Sequence, residues 1–159
     1  MAVAYGLSAE LSVSLSDIWR QRPSEFTDED VAWQVGGELV PAVDYIKATQ
    51  QRRVLQRQYA IATRDVDVLA CPSYTFERRP FGPWPSVGGR ATTFDDALRY
   101  TTPFDILGLP AISIPCGFTD EGFPIGLQLV GRAFDEPRVL RVAHLYEQAT
   151  DWHTRRPPM

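Results

Sequence analysis

The stretch GLPAISIPCGFTDEGFPIGLQLVG, residues 108–131, constrains the fold more than any other part of the chain. Two apolar runs flank a turn carrying Asp120, Glu121 and Gly122, and Gly and Pro fence each run. Short apolar runs bounded by turn residues predict two strands of one sheet, Ala111 to Pro115 and Ile125 to Val130. Nothing inside the stretch is an obvious acid, base or nucleophile.

Helical spacing dominates the first third. SAELSVSLSDIWRQRPSEF predicts a helix from Ser8, with Leu11, Leu15, Ile18 and Trp19 sharing a stripe and Arg20 to Pro23 ending it. In TDEDVAWQVGG, Thr27 suits an N-cap, acidic residues fill the first turn, where the helix dipole favours them, and Gly36 and Gly37 are expected to stop the helix. From Pro41 the longest helix runs for over twenty residues without a breaker. Its core face is expected at Val43, Ile46, Leu55, Tyr59 and Ala62, with a solvated, polar middle. VDVLACP then reads as a short buried strand stopped by Pro72.

Residues 72–90, PSYTFERRPFGPWPSVGGR, carry four prolines and three glycines without a period, which predicts a long loop. Its aromatics Tyr74, Phe76, Phe81 and Trp84 either line a pocket or cover an edge. A short helical stretch follows near TFDDALRY, where a capping role is expected for Asp95 and Asp96. In DEPRVLRVAHLYEQATDWH, Asp135 is a cap and Pro137 lies just inside the start. Val139, Val142, Ala143, Tyr146 and Ala149 mark one apolar face, so a closing helix is expected.

A chain of 159 residues with 44% hydrophobic and 23% charged content suits one globular domain, complete or partial, with no linker dividing it. A net charge of -4 and a pI near 5.1 argue against a nucleic-acid partner, because fifteen scattered arginines and one lysine form no basic stripe. No apolar run approaches the roughly 20 residues that span a bilayer. The N-terminal stretch lacks a basic region followed by a continuous apolar one, so no membrane contact and a cytoplasmic location are expected. Cys71 and Cys116, 45 positions apart, read as buried, inert thiols rather than a disulfide framework or a zinc site.

No complete catalytic constellation assembles from the residues alone. There is no G-x-S-x-G elbow, no H-E-x-x-H and no phosphate-binding glycine pattern, and neither a metal nor a cofactor is expected. His144 lies within the closing helix and His153 near its frayed end, where packing or surface roles fit better than catalysis. Lys47, followed by Thr49, Gln50, Gln51, Arg52 and Arg53, lies on a solvated face, whereas a catalytic lysine needs a desolvated one.

Residues 101–158, TTPFDILGLPAISIPCGFTDEGFPIGLQLVGRAFDEPRVLRVAHLYEQATDWHTRRPP, resemble the C-terminal part of the amidase signature family, serine hydrolases that cleave carboxamides. The similarity extends upstream through VPAVDYIKATQQRR and DVDVLACPS. The resemblance implies an α/β fold in which a mixed sheet is flanked by helices, this chain supplying its C-terminal segment. It also implies a Ser-Ser-Lys triad in a Gly/Ser-rich N-terminal region, a stretch these 159 residues do not contain. No catalytic residue is therefore assigned. Thr101, Thr102, Phe104 and Asp105 are the positions expected nearest a substrate, although Asp105 stands where the family often has Asn.

Relatives that draw ammonia from glutamine for transfer RNA amidation usually carry an acidic residue five positions before the motif's Pro, and Leu98 stands there. The resemblance thus favours an amidase for apolar or aryl amides over a fragment of an amidotransferase A subunit. The expected function is to shape a substrate pocket for a small amide, inactive alone, its partner being an N-terminal amidase portion or a second subunit. Two further readings stay open: a stand-alone binding module, and a cysteine hydrolase using Cys71 or Cys116 with His144.

Overall fold

A computed structural model describes residues 2–75 and 86–155. The chain divides into two compact units, Met1–Ile61 and Ala62–Met159. The first unit is helical, comprising α1 (Ala2–Gln21), α2 (Asp28–Glu38) and nearly all of α3 (Ala42–Ala62).

Helix α2 starts where the capping chemistry dictates. The Thr27 hydroxyl accepts from the Asp30 N–H at 3.2 Å, and the Asp30 carboxylate accepts from the Thr27 N–H at 3.0 Å. Gly36 and Gly37 do not stop it; they lie inside its last turns, and the helix runs to Glu38. Gly37 serves instead as a crossing point. A Cβ there would lie 2.0 Å from Ser12 Oγ and 2.2 Å from the Ser8 carbonyl oxygen, so only glycine lets α1 approach so closely.

The buried face of α1 accordingly differs from the expected apolar stripe. Ser8 and Ser12 are buried, with the Ser12 hydroxyl donating to the Gln34 carbonyl at 2.7 Å, while Leu11 and Ile18 are exposed. A close crossing selects small side chains over long ones, and hydrogen bonding meets the cost of burying a hydroxyl. Helix α3 departs similarly: Val43, Ile46 and Leu55 are exposed, Tyr59 is half-buried, and Ala48 in the polar middle is buried.

The second unit holds β1 (Leu69–Pro72), β2 (Ser86–Val87), β3 (Arg90–Ala91), α4 (Phe94–Ala97), α5 (Thr102–Leu107), β4 (Ala111–Phe118), β5 (Pro124–Val130) and α6 (Glu136–Ala149). The expected long loop thus contains a short hairpin, β2 paired antiparallel with β3. Phe76, Phe81 and Trp84 lie outside the described residues, and Tyr74 is exposed.

The β4–β5 hairpin forms as its sequence requires. Its strands pair antiparallel, and the turn is closed by the Gly122 N–H on the Thr119 carbonyl, with Gly122 at φ 81. The register slips between Pro115 and Gly117, leaving Cys116 as the extra residue of a bulge. Strand β1 pairs antiparallel with the other side of β5, giving the order β1-β5-β4. It is an edge strand of alternating exposure rather than a fully buried one.

Alternation along the three strands separates two faces. Ile112, Ile114, Leu127 and Leu129 face α6 and form the core with Val139, Ala143, Val142 and Tyr146, much as the apolar face of α6 foretold; Ala149 remains exposed. Burying a side chain such as Leu129 here is worth about 1.5–3 kcal/mol. Asp135 precedes α6 but does not cap it, because its carboxylate accepts from Arg138 Nε at 2.6 Å. The opposite face carries Cys71, Gln128 and Ser113 in register, with Leu69, Val130 and Ala111 one step along. Among the described residues no helix is long and apolar enough to cross a membrane.

Candidate functional site

The face of the sheet turned away from α6 gathers the polar chemistry of the second unit. Across the middle strand, Ser73 Oγ and Ser113 Oγ lie 2.5 Å apart. They meet above Gly126, which also receives the Ser73 N–H on its carbonyl at 2.9 Å. Beside them Gln128, only 7% exposed, donates through Nε2 to the Tyr100 carbonyl at 2.5 Å and to Cys71 Sγ at 3.2 Å. A buried carboxamide must find partners, and this one ties the chain just before Thr101 to the sheet.

A second tether lies upstream. Thr75 Oγ1 donates to the Asp96 carbonyl at 2.6 Å, joining the segment after β1 to α4. The Asp96 carboxylate accepts from Arg90 at 2.6 Å, from Arg99 at 2.9 Å, and from the Thr93 N–H and hydroxyl at 3.0 and 3.1 Å. These partners, Arg90 foremost, hold its pKa down at about 2 against an opposing push from burial. The expected capping role is therefore present at Asp96, joined to an ion-pair hub that fixes the β2–β3 hairpin against α4.

The residues expected nearest a substrate occupy the segment that follows the tethered Tyr100. It is a short helix, not an open loop: Thr101 stands at its N-cap, Thr102 begins α5, and Gly108 ends it in the left-handed region at φ 67. Thr101 and Thr102 are half-buried, Phe104 is buried at 9% exposure, and Asp105 is exposed. Pro103 near the helix start and the αL glycine at its end explain why the sequence folds this way locally.

The other sequence candidates are exposed or half-buried side chains. Lys47 is in the first unit, with its ammonium 3.9 Å from Asp44 and its side chain 64% exposed. His144 is exposed on α6, across the sheet from Ser73 and Ser113, and His153 is exposed in the turn Trp152–Thr154. Cys71 and Cys116 are free and half-buried rather than fully buried, and burial pushes the Cys116 thiol pKa up. Among the described residues no three His, Cys, Asp or Glu side chains gather as metal ligands would. Sequence reasoning missed Ser73, Ser113 and Gln128; the signal was Gly126 inside a strand, which marks a close approach.

This architecture has counterparts among known proteins. A family model described as Amidase matches residues 5–140. The chain belongs to the amidase family. Its amidase relatives include a glutamyl-tRNA(Gln) amidotransferase A subunit from Synechococcus sp. (strain JA-2-3B'a(2-13)), 44% identical over 119 residues, covering 72% of this chain and 22% of that protein. The corresponding protein from Synechococcus sp. (strain CC9902) is 38% identical over 166 residues, covering 98% of this chain and 32% of its own length. A crystal structure of an amidase superposes with a TM-score of 0.81 at 24% identity, covering 92% of this chain and 34% of that one, and shows the shared α/β fold. The chain thus spans between 22% and 34% of the length of these relatives.

Proposed function

We propose that this chain forms one wall of the substrate pocket of a carboxamide hydrolase and that the nucleophile and base come from polypeptide outside these 159 residues. The observation that carries the reading is the hydroxyl-bearing sheet face, bordered by the tethered Tyr100–Asp105 segment, in a chain of the amidase family. The one lysine of the sequence is solvated on α3, and the Ser73 and Ser113 hydroxyls bond to each other. Without nucleophile and base the chain retains only binding contacts, so it does not turn over alone.

A neutral apolar or aryl amide is the substrate class that fits. Leu98 stands five positions before Pro103, where an acid would suit a glutamine ammonium, and the nearby Asp96 carboxylate is taken by two guanidiniums; the exposed Asp105 is the one carboxylate of the Tyr100–Asp105 segment. The relatives named as amidotransferase A subunits favour a second reading, in which the same wall belongs to a glutamine-dependent enzyme.

The experiment pairs the chain with an N-terminal amidase portion containing the Gly/Ser-rich stretch and compares ammonia release from benzamide and from glutamine. Preference for benzamide supports the neutral-amide reading, and preference for glutamine establishes the second. A well-behaved monomer that binds no N-terminal portion would instead identify a stand-alone module.

A further inference from the structure

Strands two apart in a sheet are separated by about 9.5 Å, twice the usual interstrand spacing, so their short side chains do not ordinarily touch. Ser73, just beyond β1, and Ser113, on β4, nevertheless meet at 2.5 Å. Gly126 on the intervening β5 makes this contact possible. A Cβ at that position would lie 2.7 Å from Ser73 Oγ and 2.9 Å from both Ser113 Oγ and Ser73 Cβ. Gly126 on β5, Ser113 on β4 and Ser73 just past β1 therefore cooperate to place a hydroxyl pair on the face away from α6.

Ser113 is exposed and Ser73 half-buried, so the pair is open to a ligand. Two hydroxyls carry two donors and four lone pairs, and their mutual hydrogen bond uses one of each. One O–H and several lone pairs remain. That remainder complements a carboxamide, whose carbonyl oxygen accepts and whose N–H donates. Gln128, in register with Ser113, adds a carboxamide held by the Tyr100 carbonyl and the Cys71 sulfur.

We propose that Ser73 and Ser113, joined above Gly126, form a binding site for a neutral carboxamide, one hydroxyl donating to its carbonyl oxygen while the pair accepts from its N–H. This deepens the pocket-wall reading and rests on it for the identity of the substrate, but the site itself is tested separately. It is a binding contact, with no lysine in the second unit to activate either hydroxyl.

The full 159-residue chain is titrated with benzamide, with benzoate and with benzylammonium, following the backbone amide signals of Ser73, Ser113 and Gly126 by NMR. Benzamide is expected to shift these signals, and the two charged probes to leave them in place. The S73A and S113A variants should each weaken the benzamide response by about two- to twelvefold, the range for one lost neutral hydrogen bond. Equal responses to all three probes, or an undiminished response in the double variant, would overturn the site.

A kinetic arm separates the site from the reading beneath it. Paired with an N-terminal amidase portion, S73A and S113A should raise KM for benzamide by the same factor and leave kcat nearly unchanged. A lower unfolding temperature with an unmoved KM makes the pair a strand-to-strand contact only and overturns the proposal. Benzamide-specific NMR shifts in a pairing that releases no ammonia would uphold the site while removing the hydrolase reading.

Discussion

Asp96 and Arg90 meet at 2.6 Å, and through this pair the β2–β3 hairpin is fastened to α4 and to the segment that leads into Thr101. The carboxyl pKa, 3.8 for an ordinary aspartate, is lowered to about 2. A lowered carboxylate pKa means that the folded state prefers the charged form. The stabilisation is present above the unfolded value and is lost as pH falls through about 2. Urea unfolding of the wild type and of Asp96→Asn should show a stability gap that is constant between about pH 5 and pH 7 and narrows between about pH 4 and pH 2. A gap that does not change with pH would detach the ion-pair hub from stability.

Gly36 and Gly37 are neighbours with opposite expectations. A Cβ on Gly36 meets nothing within 4 Å, whereas one on Gly37 runs into Ser12 Oγ and the Ser8 backbone. Gly36→Ala should stabilise by about 0.5–1 kcal/mol through helix propensity. Gly37→Ala should destabilise by about 1–3 kcal/mol or more, since the backbone cannot rotate aside. Denaturant midpoints of the two variants check both, and equal effects would contradict the close α1–α2 crossing.

Cys116 occupies the β4 bulge, and burial raises its pKa above the ordinary 9.0. Its thiolate is scarce near neutral pH, so it is a poor nucleophile. In a Cys71→Ala background, alkylation of Cys116 by iodoacetamide should be at least about tenfold slower in the native chain than in urea, with a rate midpoint above pH 9.0. Fast labelling near neutral pH would revive the cysteine-hydrolase reading.

Elements whose boundaries depend on local chemistry were legible in the sequence. The β4–β5 hairpin, the apolar face of α6 and the Thr27 cap follow from apolar runs bounded by turn residues, from helical spacing and from a hydroxyl placed before a run of acids. What depends on partners distant in the chain was not. The serine face of α1 became readable only once Gly37 was seen against Ser8 and Ser12, and the exposed Leu11 and Ile18 show that spacing names a face without naming its occupant. The site follows the same rule. Thr101 and Thr102 were reached through a resemblance, whereas Ser113 lies 40 residues from Ser73 and Gln128 lies 57 from Cys71, and only strand pairing brings each to its partner.

The most direct test of the pocket-wall claim is ammonia release from benzamide, measured for the purified chain alone and for the chain mixed with an N-terminal amidase portion that contains the Gly/Ser-rich stretch. No release from the chain alone and release from the mixture, lost when the nucleophilic serine of the added portion is replaced, is the expected result. Turnover by the chain alone, or release from the mixture that survives loss of that serine, would contradict it.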